Sequence, residues 1–206
     1  MGKLFAYDGL LARAVDKVLN YLLLCCLWTV FSLPLFTIGA SNSALYYTVD
    51  KVLRKGEEHP IQIFWDAFKE NFKQASVIWI LQILSFMILG ADMYFVYSLY
   101  LQQAVAAEMV VICAIILAFI VMFTLYLYPY IARFVNTTRE VLKTCLIMSL
   151  INLPWSLLLL VLFAASIIGS LFLPLGILAV PAGYMLICGM ILERVFQKYI
   201  PNAECV

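Results

Sequence analysis

Asp92 is the one carboxylate within a long apolar stretch, with charge-free runs at 74–91 and 93–107 on either side. An ionisable group at membrane depth is a candidate for proton or ion handling. Counted from Val77, it lies roughly 23 Å along a helix, toward the outer side of a bilayer. Tyr94, Tyr97 and Tyr100 follow it as an expected interfacial belt. A second polar set, Thr37, Ser41, Asn42 and Ser43, stands at an apparent helix break after Pro34. The new N-terminus of a broken helix exposes backbone donors, and such ends hold substrates or ions in transporters. The same side chains are also ordinary N-caps that satisfy those donors themselves, and this capping reading is preferred. A third set lies in FWDAFKENFKQA at 64–75, where Phe64, Trp65, Phe68 and Phe72 share an arc of about 100° and Asp66, Lys69, Glu70 and Lys73 lie opposite. That face either rests in the lipid headgroup region, the preferred reading, or docks in a groove on a partner membrane protein.

Catalytic constellations are missing from the sequence. His59 is the single histidine, so no HExxH site can form, and Gly39-Ala40-Ser41-Asn42-Ser43 fails the G-x-S-x-G pattern at its last position. There is no P-loop and no dinucleotide fingerprint, so the chain is expected not to be an enzyme and to need no cofactor. Of six cysteines, Cys25, Cys26, Cys113 and Cys188 lie in apolar runs, Cys145 begins one and Cys205 is in the tail. No CxxC spacing occurs, so neither a metal site nor a disulfide framework is expected. A net charge of +1 gives no field for nucleic acid.

The elements that must position these residues follow from composition. Of 206 residues, 66% are hydrophobic and 12% charged, against about 45–50% and 25% in soluble domains. The charges are clustered, leaving runs at 18–49, 109–132 and 144–192 without any. A bilayer core about 30 Å thick needs about 20 apolar residues of helix. The expected fold is an all-α polytopic membrane bundle with the lipid bilayer as its solvent: four transmembrane helices at 76–101, 109–131, 145–166 and 172–192, preceded by an interfacial helix at 61–75. Within the last run Gly169-Ser170 marks the turn, Pro174 suits the first turn of the next helix, and Asn152-Leu153-Pro154 marks a kink.

The 18–49 run would be about 48 Å long as a single helix, too long for one crossing without severe tilt. Pro34 and Gly39 divide it, so segments at 10–33 and 41–55 are expected to form a Pro/Gly-broken hairpin, giving five to six membrane segments. Its length exceeds a cleaved signal sequence, and it is expected to be retained. Lys and Arg collect in 51–75, 132–144 and the C-terminal tail, which places those regions in the cytoplasm. The hairpin also brings Lys3, Arg13 and Lys17 inside; a single first crossing, with the N-terminus outside, is the rival topology.

Three stretches, SLPLFTIGASNSALYY at 32–47 following Asn20 and Trp28, FWDAFKENFKQ at 64–74 and YPYIARF at 128–134, resemble the YesL family of bacterial integral membrane proteins. That family is largely uncharacterised and offers no established set of site residues. Its members are commonly encoded near ATP-binding-cassette importers for oligosaccharides. The resemblance therefore implies a bacterial cytoplasmic-membrane protein that assists carbohydrate uptake, with permease subunits of a sugar ABC transporter as partners and a homo-oligomer left open. The alternative is a stand-alone solute transporter or channel using Asp92 and the polar break at 37–43.

Overall fold

A computed structural model describes residues 10–102, 107–172 and 176–199, with side chains over 15–102, 107–170 and 180–196. The described residues form seven α-helices in order: α1 (Leu10–Ser32), α2 (Ile38–Thr48), α3 (Pro60–Leu101), α4 (Ala107–Ile131), α5 (Thr138–Ile151), α6 (Leu153–Phe172) and α7 (Gly176–Tyr199). Among the described residues there is no strand. Four helices among the described residues, α1, α3, α4 and α6, are long and apolar enough to cross a membrane. Large apolar side chains point outward along them, among them Met87 and Phe95 on α3, Ile112 and Ile115 on α4 and Val161 on α6. Lipid can solvate such a band, whereas water would penalise it.

α1 stops where Pro34 removes a backbone donor and constrains the residue before it. A 3₁₀ turn, Leu35–Thr37, follows, and the Thr37 hydroxyl lies 2.6 Å from both the Phe31 and Pro34 carbonyl oxygens. α2 then turns into the protein. It is buried on nearly every side, by α1, α3, α4 and α7, and its small residues permit that approach. A Cβ at Gly39 would stand 2.5 Å from the Ala75 carbonyl oxygen and 2.7 Å from the Trp79 Cβ, so only glycine fits there. Buried Ser43 and Thr48 donate to carbonyls of their own helix, Ala40 at 2.9 Å and Ala44 at 2.7 Å. α2 continues as a π-helical segment, Val49–Arg54. The segment expected at 41–55 is thus a short internal helix plus a π turn.

Two further boundaries differ from the sequence expectation. The interfacial helix at 61–75 and the span at 76–101 are one continuous 42-residue helix, α3, about 63 Å long at 1.5 Å per residue. No Gly or Pro interrupts residues 61–89, so nothing ends the helix where the charges stop. The span expected at 145–166 is divided at Asn152, whose backbone (φ −103°, ψ 44°) leaves the helical region. Pro154 then falls in the first turn of α6, where its missing N–H costs no helical bond. Ser156 ties the break together, its hydroxyl 2.9 Å from the Ser149 carbonyl oxygen and 2.9 Å from the Tyr126 hydroxyl. α5 begins with a Thr137/Glu140 capping box. Pro174 and Cys205 lie outside the described residues.

Candidate functional site

Gln82 on α3 is a buried amide in an otherwise apolar span. Thr124 and Tyr128, four residues apart on α4, share the face opposite it. The Tyr128 hydroxyl donates to Gln82 Oε1 at 2.5 Å, Gln82 Nε2 donates to Thr124 Oγ1 at 2.6 Å, and the Thr124 hydroxyl donates to the Ile120 carbonyl at 2.8 Å. Across α1 and α2, Trp28 Nε1 donates to Asn42 Oδ1 at 2.8 Å, leaving the amide N–H groups of Asn42 as what it can offer elsewhere. On α7 the Tyr184 ring meets Phe163 edge-on at 5.7 Å. Its hydroxyl is buried, with the Cys188 thiol of the same helix as its polar neighbour.

These groups surround one cavity of about 440 Å³, between α3 and α4 on one side and α6 and α7 on the other, with Trp28 and Asn42 closing its edge. The volume falls in the roughly 300–1,000 Å³ range of small-molecule sites. Most of the wall is carbon, supplied by Trp79, Phe86, Leu125, Phe163 and Met185. A few amides and hydroxyls are set into it. Such a wall suits a molecule with an apolar body and one or two hydrogen-bonding groups, because each unmatched polar group would be desolvated without compensation.

A second polar cluster lies further along three of the same elements. Arg54, in the π segment, bonds Asp50 at 2.5 Å and also pairs with Glu193 on α7. Arg133, just after α4, stands 3.6 Å from the other oxygen of Glu193, and Lys55 stands 3.3 Å from Asp50. The hydrogen bond from Arg54 holds the Glu193 carboxyl below the ordinary carboxylate range, outweighing the opposing effect of desolvation.

Against this geometry the sequence candidates separate. Asn42 lines the cavity. Thr37 serves its own turn, and Ser41 is buried within α2 but is not part of the cavity wall. Asp92 is exposed and lies ten residues beyond Gln82, about 15 Å further along α3. The break and Asp92 therefore do not form one site. The aromatic face is corrected more sharply: Phe64 (0% exposed) and Phe68 (7%) are turned into the protein. Phe31 covers them, its ring centroid 5.5 Å from Phe64, 5.4 Å from Trp65 and 5.0 Å from Phe68, and Phe72 packs on Phe68 at 5.4 Å. Only Trp65 remains substantially exposed, at 41%, with the Lys69 ammonium 4.8 Å from its ring. α1, through Phe31, and α2 thus cover Phe64 and Phe68, the inner part of that face.

Residues 18–93 match the family model described as "Protein of unknown function, DUF624". The match takes in most of α1, all of α2, the π segment and α3 as far as Met93, so it includes the Gly39 contact and one wall of the cavity. No curated protein and no solved structure matches the chain. Gln82, Thr124 and Tyr184 were not singled out from sequence, and Tyr128 was read there only as part of an inner-face aromatic anchor, not as a partner of Gln82. The signal that could have found Gln82 is a lone amide in an apolar span.

Proposed function

We propose that this chain is a nonenzymatic integral membrane protein that holds a small, largely apolar solute in the cavity around Gln82. The observation that carries this reading is the cavity itself: a carbon wall with the Tyr128–Gln82–Thr124 chain, Asn42 and the buried Tyr184 hydroxyl set into it. An oligosaccharide is a poor match, because its many hydroxyls would meet few partners there. In this reading the clustered Lys and Arg, including the Arg54 and Arg133 end of the bundle, face the cytoplasm of a bacterial cell. The chain reverses between α1 and α2 as a hairpin.

Gentle solubilisation followed by native mass spectrometry tests the proposal. Wild-type protein should carry a reproducible small-molecule adduct, and Gln82→Leu should lower its occupancy at least fivefold. A wild-type chain devoid of any adduct, when prepared from native membranes in several mild detergents, would sink the proposal.

The accessory role in sugar import is the second reading. The DUF624 match is consistent with a YesL-type family, and the N-terminal third of α3 presents Asp66, Lys69, Glu70 and Lys73 on its exposed side. A permease contact would then use this charged side rather than the aromatic one. Combined Lys69→Glu and Lys73→Glu should release a co-purifying permease; recovery equal to wild type would remove the support.

A further inference from the structure

The three elements that contribute Asn42, Pro129 and Met185 to the cavity wall all run on into the charge cluster. Arg133 follows Pro129 by four residues, just past the end of α4, and Glu193 follows Met185 by eight, about 12 Å of helix. Asp50 and Arg54 follow Asn42 through the end of α2 and the π segment. Between cavity and charges, α7 at Gly189 faces Tyr46 and Arg54 with room for ordinary van der Waals contact. A Cβ at Gly189 would stand 3.6 Å from the Tyr46 ring and 3.8 Å from the Arg54 guanidinium. Tyr46 is buried beside it, and Cys188 is fully buried.

We infer that the Arg54–Glu193–Arg133 bridge is a gate: joined, it closes the charged end of the cavity, and parted, it opens a path past Tyr46 and Gly189. This inference rests on the cavity being a solute site. Three features favour a gate over a static brace. The ion pairs are partly exposed, with side chains at 24–26%, and pairs of that kind are individually weak, so they can part without unfolding the bundle. The bridge joins elements far apart in sequence that otherwise meet through side-chain packing. One of its arms is a π segment, a helical irregularity common at functional sites.

Cys188 is a built-in reporter. In a chain retaining Cys188 as its sole cysteine, a membrane-impermeant maleimide added to inside-out vesicles should label slowly. Arg54→Ala and Glu193→Gln should each raise the labelling rate at least tenfold, and Arg54→Lys, which keeps the charge, should stay near the parent rate. A chain retaining only Cys145, fully buried elsewhere, should label slowly in every background. Unchanged Cys188 labelling in Glu193→Gln overturns the gate. A parallel rise at Cys145 also overturns it, because that reports general loosening. Adduct retention by the purified protein is read separately, so an empty cavity with normal gated labelling sinks the solute reading and not the gate.

Discussion

Gly39 and Ala75 meet backbone to backbone: the position a Cβ would take on Gly39 is 2.5 Å from the Ala75 carbonyl oxygen, closer than such atoms pack. This contact fixes α2 against α3, and α2 supplies Asn42 to the cavity. Gly39→Ala must push the two helices apart or bend one of them. Overpacking of this kind costs about 1–3 kcal/mol. The expected outcome is a lower thermal midpoint for the detergent-solubilised protein, read by fluorescence-detected size exclusion. Gly90→Ala, where the added Cβ meets nothing within 4 Å, should leave the midpoint unchanged or slightly raised.

Tyr128 and Gln82 give a second prediction. Tyr128→Phe removes the donor to Gln82 Oε1 and leaves a buried acceptor unmatched. A hydrogen bond within a membrane bundle contributes about 0.6–2 kcal/mol. The variant should therefore fold, with a modestly lower midpoint, and its retained adduct should drop together with that of Gln82→Leu. Equal adduct occupancy in wild type and both variants would place the solute elsewhere.

The aromatic face separates packing from docking. Because Phe68 is enclosed by Phe31, Phe64, Trp65 and Phe72, Phe68→Ala leaves a cavity and should cost about 3–5 kcal/mol. Trp65→Ala, at a substantially exposed position, should cost about 1 kcal/mol. Stability of the purified chain in detergent distinguishes the two. Were Phe68 a contact for another protein, its removal would leave the isolated chain as stable as before.

Hydropathy carries the apolar helices, and Pro34 carries the end of α1, because both signals are local. Other features are not local. The charges of 66–73 made residues 61–75 look like a surface element, yet their outward side and the inward aromatic side belong to one helix that runs on unbroken into α3. The division at Asn152 falls in a charge-free run, where hydropathy has no contrast. Gln82 meets Thr124 and Tyr128 across 42 and 46 residues, and Arg54 meets Glu193 across 139. No periodicity links such positions. Asn42 was legible because it sits beside the break; its cavity partners became visible only when α3, α4 and α7 were placed around it.

The bridge also sets an acid dependence. Glu193 is held ionised by Arg54, so its carboxyl titrates below the ordinary value of 4.5 in the folded chain. A depressed folded value means that the unfolded chain takes up the proton first as pH falls, so the carboxylate stabilises the fold above its unfolded pKa. That contribution declines as pH drops through the ordinary value and is gone below the depressed one. The thermal midpoint should therefore be flat with respect to this group near neutrality and fall on acidification below about pH 5. Glu193→Gln removes the titrating group, so its midpoint should start lower at pH 7 and converge toward wild type near pH 3. Parallel curves for the two proteins across pH 3 to 7 would show that the Arg54–Glu193 pair contributes nothing to the closed state.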